Sequence, residues 1–524
     1  MNSTDKRFLD EIKKRIQTYV EKNIHEELKN IQHPIDNEIL EKLNEISLSS
    51  EEEYEIYQHI AKIKSIWSIL IKKAIVCLRY FDEREPFKVH NNKKPIAYGV
   101  DELASYFKEY TAFEKVLYGG VNYYRDHVIH VFRVWMLGIN LLLDPDKPYL
   151  DKIVIEKGFD THPLEKLSIW TIISLAHDLG YPLEKSIQIV DKTKKMMNSF
   201  VQNPIVTMDT SFSGVQNTMN DYVLKFISSK MIEINPSNPH EKRRFDEKEY
   251  DEVFAKGTDE FTKFLKGKEY VARLQPKYYF KFQKSLEHNS HGVLSALIVY
   301  KLLIYFLESD FSTNEDYIFG YEDARQFYIR REILRSMASH TCHDVYQNSM
   351  LSFSFLLILC DDAQEWGRRC ITDLFESKDN KYSFKNIEIK LDTKPFKCEF
   401  SDQYSVSGYH SIKGILDNFL RQSKTYVCVF RDGQDTKSRD FNFTRQIQLT
   451  IITGIGSAEY DITLEVTADK QSQIKISHTR IKQFENNDAF IKLFKDVVEE
   501  KDRNGINNMT KSDDGNYVVY EFSL

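Results

Sequence analysis

An imidazole and a carboxylate stand side by side at His177-Asp178, closing the apolar run Leu167 to Ala176. Gly180 and Pro182 break the helix at once, so the pair is expected at the mouth of a buried helix. Two such groups can share one divalent cation. A His-Asp pair occurs by chance in many chains of 524 residues, so its meaning depends on ligands supplied elsewhere.

Further candidates recur where apolar helices begin, end or turn a face. Residues 122–143 read as one long helix in which His127 and His130 share a face with Val131 and Val134. Two histidines on a buried face need polar partners or a metal. His288 is expected at the start of an apolar helix, and Gly292, four residues on, permits close backbone approach. A helix near 325–340 ends in Ser339-His340-Thr341-Cys342-His343-Asp344, and an apolar helix near 350–360 delivers Asp361-Asp362. Paired acids at the end of a buried run are costly without a cation or a basic partner. The resulting set is His130, His177, Asp178, His288, His340 and Asp361. Imidazoles and carboxylates without thiolate suit Mn, Fe, Co, Ni, Zn or Mg, in one site or two adjacent ones. A cation held there lowers the pKa of bound water and stabilises charge on a phosphoryl group.

The order His … His-Asp … His … His … Asp resembles the HD-domain superfamily of metal-dependent phosphohydrolases. His130-x-x-x-Val134 resembles its first His helix, and His177-Asp178-Leu179-Gly180 its name-giving pair. Glu287-His288-x-x-x-Gly292 is similar to the acid-His-x-x-x-Gly segment of its two-metal members. Ser339-His340-Thr341-Cys342-His343 resembles their His-His step, and Leu359-Cys360-Asp361 the closing aspartate. The likeness spans about residues 120–370. It implies an enzyme that cleaves a phosphoester or phosphodiester bond of a nucleotide or related substrate with metal-activated water. It implies that His130, His177, Asp178 and Asp361 hold one metal, while His288 and His340 support a second or bind phosphate. Asp178 bridges in that scheme and forms the catalytic group with His288 and His340. His127 competes with His130 for the first ligand position. His127, His291 and His343 are left for substrate contact or proton transfer. Many family members carry Lys after His-Asp-x-Gly; here Tyr181 stands there, and Lys185, four residues on, is the substitute phosphate contact. Two alternatives accompany the hydrolase. One is a catalytically silent metal- or nucleotide-binding protein with a regulatory or interaction role. The other is an HD-type nuclease, for which Lys194-Lys195 and Lys242-Arg243-Arg244 would have to line a basic channel.

The elements that must position these groups follow from patterning. The length allows two or three domains, and 41% apolar residues allow a large core. Many Tyr (30) and Phe (34) with few Gly and Pro favour a helical, aromatic-packed interior. A net charge of −7 does not advertise a nucleic-acid partner. Six cysteines without a CxxC pair argue against a zinc-thiolate knuckle or a disulfide framework. No signal-peptide core and no apolar run near ~18 residues is present, so no membrane partner and a cytoplasmic location are expected.

Steps of three and four among Phe8, Ile12, Ile16, Val20, Ile24, Leu28 and Ile31 predict a helix over residues 5–31. Others are predicted over 36–47 and 51–81, giving an N-terminal helical subdomain over 1–95 suited to packing or homo-oligomer formation. Residues 83–98 read as a connector and 101–117 as a short helix. The helical HD-type core is assigned to 96–378, with a polar insertion at about 186–280 suited to a lid or partner contacts. From about 380, period-two runs at 386–391, 425–430, 446–452, 460–466, 474–477 and 517–522 predict strands, with helices near 409–421 and 488–499. Residues 379–524 thus form a C-terminal α+β domain, and the fold expected is mainly α.

Overall fold

A computed structural model of the chain describes residues 4–24, 28, 31–49, 54–82, 99–121, 124–147, 149–156, 158–199, 215–235, 238–242, 264, 267–307, 317–342, 345, 349–368, 382–393, 396–406, 413–419, 421–422, 441–452, 459–468, 474–482, 492, 496, 507–513 and 517–523. The chain divides into two compact units. The first comprises Met1–Leu143, Ile153–Val345 and Leu351–Ile358; the second comprises Asp144–Lys152, Tyr346–Met350 and Leu359–Leu524.

The first unit is mainly helical. It opens with α1 (Thr4–Asn23), α2 (Asn37–Asn44), a 3-10 turn at Glu55–His59 and α3 (Ile60–Tyr80). These belong to the same body as the histidine-bearing helices and do not form a unit apart. Arg133 shows how they are joined: buried on α5 (Val128–Leu142), it donates from Nε and Nη2 to both oxygens of Asp5 on α1, at 2.8 and 2.7 Å. Such a bidentate pair compensates a charge that burial would otherwise penalise.

Three tryptophans set the centre of this unit. Trp67 on α3 donates to the Leu175 carbonyl at 2.9 Å on α7 (Pro163–Ala176), and Trp170 on α7 donates to the Trp135 carbonyl at 3.2 Å on α5. Trp135 in turn donates to Thr171 Oγ1 at 3.1 Å. At the crossing of α5 and α7, a Cβ on Gly138 would meet the Trp170 ring at 2.0 Å, so only glycine admits this packing. The α7 helix starts at Pro163, with the His162 ring accepting from the Leu164 amide and Glu165 accepting from the His162 amide.

Several expected boundaries shift. The first helix ends at Asn23, short of 31. α4 (Val100–Gly120) runs through Gly119-Gly120, beyond the expected end at 117. The helix expected from Asn122 begins only at Val128, because carboxylates collect its first amides. Asp126 Oδ1 accepts from the His130 amide at 3.2 Å, and Glu114 Oε1 from the His127 amide at 2.6 Å.

The span read as an irregular insertion holds α8 (Tyr181–Met197), α9 (Val215–Ser228) and strands β1 (Ser229–Asn235), β2 (Asn238–Lys242) and β3 (Glu269–Leu274). With β4 (Ile318–Phe319) they form a sheet of order β2-β1-β3-β4. Then follow α10 (Pro276–Glu287), α11 (His291–Leu302), α12 (Ile304–Leu307), α13 (Tyr321–Ser339) and α14 (Phe353–Ala363).

The second unit carries a seven-stranded sheet of β5 (Tyr382–Thr393), β6 (Phe396–Val406), β7 (Phe441–Ile452), β8 (Glu459–Ala468), β9 (Ile474–Lys482), β10 (Asn507–Asp513) and β11 (Tyr517–Ser523). Their order is β10-β11-β9-β8-β7-β6-β5. Neighbours are antiparallel except β6 and β7, whose parallel register begins at Phe396 opposite Phe441. Strands β6 and β10 were not anticipated, and the run expected at 425–430 lies outside the described residues.

Candidate metal centre

His177 follows the last residue of α7, whose side chains are buried from Leu164 to Ala176. An apolar helix therefore delivers the ring and the next carboxylate into the interior: His177 is 0% and Asp178 5% exposed. The His177 Nδ1 lies 2.8 Å from the Ser174 carbonyl one turn back. A carbonyl only accepts, so Nδ1 carries a proton, and in the neutral ring Nε2 presents its lone pair. His340, following α13, repeats the device with Nδ1 at 2.6 Å from the Met337 carbonyl. Backbone anchoring of one ring nitrogen is the usual support of a metal-bound histidine.

Every Nε2 of five histidines faces Asp178. His127, His130 and His177 lie 4.0, 3.6 and 3.5 Å from Oδ2. His291 and His340 lie 3.3 and 3.7 Å from Oδ1. Most of these separations are too long for hydrogen bonds. They suit atoms that share a cation, since ligand bonds of about 2.0–2.2 Å leave neighbouring ligand atoms about 3–4 Å apart. The donor set thus fits a borderline divalent ion. Burial alone would raise the Asp178 pKa. The His177 ring first, then His340, His127 and His291, outweigh that and hold the carboxyl well below its usual range.

Among the described residues of the first unit, one ligand group is compact enough for an ion: His177, Asp178 and His340, with ligand atoms all within 4.8 Å of one another. Asp361 lies on α14 beyond Ile358, among the residues of the second unit.

Glycines make the approach possible. A Cβ on Gly180 would meet the His291 carbonyl at 2.4 Å, and one on Gly292 would meet Thr341 Oγ1 at 2.5 Å and His340 Cε1 at 3.0 Å. Ser295 Oγ accepts from the Gly180 amide at 2.8 Å. The start of α11 is thereby seated against both the Asp178 turn and the end of α13.

The structure separates His288 from this group. His288 is exposed and caps the C-terminus of α10, its Nδ1 2.7 Å from the Lys284 carbonyl. Asn289, at φ 54, then turns the chain, and α11 begins at His291. The apolar helix expected to open at His288 therefore opens three residues later, and His291 takes the inward place. Lys185 is half-buried, with Nζ 2.5 Å from Glu184 Oε1 and 4.8 Å from the Tyr181 ring centroid. His343 lies outside the described residues.

Sequence reading missed Glu184, Tyr181, Glu114 and Asp126 as parts of the site. Glu184 Oε2 lies 2.6 Å from His291 Nδ1 and also accepts from the His291 amide at 3.0 Å. Burial raises the Glu184 pKa, but His291 and Lys185 prevail and bring it to about 2. The Tyr181 ring lies 3.9 Å from the His127 ring and 5.0 Å from that of His291. Glu184 reads locally as an ordinary acid in a helix first turn, so no signal distinguished it. Behind His127 and His130, Tyr57 donates to Asp126 at 2.5 Å, and burial with the nearby Asp126 pushes Glu114 up to about 7.

No helix among the described residues is long and apolar enough to cross a membrane. Compared with family models, curated proteins and solved structures, the chain has no significant match.

Proposed function

We propose that the chain is a metal-dependent phosphohydrolase of the HD-domain type. It would cleave a phosphoester or phosphodiester of a nucleotide or related substrate. One observation carries the reading: five imidazoles present Nε2 to the two oxygens of one buried carboxylate, at 3.3–4.0 Å. The two-sided placement supports Asp178 as a bridge. His130 and His177 would serve its Oδ2 side, and His340 and His291 its Oδ1 side. A bound cation supplies Lewis acidity and lowers the pKa of water. Glu184 fixes the orientation of His291 through Nδ1. Tyr181 and Lys185 line the rim beside His127 and His291, where a phosphate would compete with Glu184 for the Lys185 ammonium.

That competition favours a second reading, a catalytically silent metal or nucleotide binder, because Lys185 is already engaged by a carboxylate. Elemental analysis and a screen of nucleotides and generic phosphodiesters on the same purified sample separate the two. The enzyme reading expects stoichiometric first-row metal or Mg and turnover. It also expects loss of that turnover in His177→Ala and Asp178→Asn variants with unchanged far-ultraviolet circular dichroism. Metal and tight nucleotide binding without turnover across several cations would leave the silent binder.

A further inference from the structure

Two guanidinium groups stand one turn apart on α13, at Arg331 and Arg335, 6% and 9% exposed. Arg331 is partly served: Nη1 donates to the Ser229 carbonyl at 3.0 Å and Nη2 lies 3.6 Å from Glu156 Oε2, while its buried Nε has no hydrogen-bond partner. Arg335 is not. Its contact is the face of the Tyr278 ring, 4.5 Å from the centroid. Among the described residues no acceptor hydrogen-bonds its guanidinium and no carboxylate comes within ion-pairing distance. Glu332, on the same turn, is buried and receives instead the Ser336 hydroxyl at 3.3 Å. A buried cation without a hydrogen-bonded anion is costly, and a like charge one turn away adds to the cost, which the Glu332 and Glu156 carboxylates offset only in part. A ring beneath the guanidinium occupies its face and leaves the in-plane N–H fork open, the geometry that grips an oxyanion.

We propose that Arg335, with Arg331 beside it, forms a second ligand site that binds a small oxyanion, the phosphate or carboxylate group of a metabolite. The site is separate from the metal centre. Arg335 precedes His340 by five residues, which turns it about 140° around the helix axis away from the imidazole. It is built from Arg331 and Arg335 of α13, the Tyr278 ring of α10, and the Ser229 carbonyl and Glu156 carboxylate beside Arg331, none of which is among the histidines that lie against Asp178. Burial, then the Arg331 charge, brings the Arg335 pKa down to about 10, a cost that a bound anion relieves.

Calorimetric titration of inorganic phosphate, and separately of acetate, into chelator-treated protein tests the site. Wild type and Asp178→Asn should both bind phosphate saturably at one per chain. Arg335→Gln should bind at least tenfold more weakly, and the thermal midpoint rise that phosphate causes in wild type should vanish with it. Arg335→Lys keeps the charge without the fork and should also weaken binding; it decides the matter should Arg335→Gln fail to fold. Saturation by acetate in preference to phosphate assigns the carboxylate as the natural group. The proposal falls if wild type binds neither anion saturably or if the Arg335 variants bind as wild type does. It falls equally if binding survives Arg335→Gln but disappears in Asp178→Asn.

Discussion

Among the described residues three histidines make the same local bond, and two of these reach the candidate centre. His177, His340 and His288 each follow a helix and place Nδ1 on a carbonyl three or four residues back. What differs is the helix that each one ends. α7 and α13 are buried nearly throughout, whereas among the described residues α10 buries only Tyr278 and Phe282. The ring at the end of a half-exposed helix stays in solvent, and His291 takes the inward position with Glu184 behind it. Removing a partner that orients a ligand imidazole typically costs 10–100-fold in metal affinity. Glu184→Gln is therefore expected to lose about 10–100-fold in a chelator-competition assay, while His288→Ala stays within about twofold of wild type. Equal behaviour of the two variants would remove His291 from the ligand set.

At the scale of elements, the site depends on how closely α11 approaches the ends of α7 and α13. Gly292 has no room for a methyl group, because the Met337 carbonyl lies 2.6 Å from where its Cβ would stand. Backbone cannot yield as a side chain can. Gly292→Ala should cost about 1–3 kcal/mol through overpacking, read from urea midpoints. It should also lower metal content, since the displaced element carries His291 and abuts His340. A stability loss with full metal occupancy would mean that α11 positions nothing in the centre. Its lack of a side chain marked Gly292 as a place of close approach, but the histidine it serves is the adjacent His291 rather than His288.

At the scale of the molecule, the N-terminal helices are part of the body that houses the centre. His33 lies in this block, 2% exposed, and faces Asp36, Lys73 and His162. Burial lowers its pKa from 6.5 to about 4, with Asp36 opposing and Lys73 and His162 adding to the shift. The unfolded chain takes up this proton below about pH 6.5 and the folded chain refuses it until about pH 4. Stability is therefore complete above that window and is lost as pH falls through it, by up to about 3 kcal/mol. Urea midpoints of the helical signal at pH 7 and 4.5 should fall more in wild type than in His33→Asn. Parallel losses would assign the acid sensitivity elsewhere.

Composition and periodicity by themselves determined a mainly helical body followed by a strand-rich segment, because burying one face of a helix or strand leaves a period in the sequence. They also marked His130, His177, Asp178, His340 and Asp361, since polar groups ending or interrupting buried runs break that period visibly. Three outcomes needed the folded chain. The Asn289 turn exchanged His288 for His291. Glu114 and Asp126 delayed the start of α5 by capturing its amides. Glu184, unremarkable in its own helix, became the support of an imidazole 107 positions away. Each is settled by contacts between residues far apart in sequence, whose energies leave no local pattern to read.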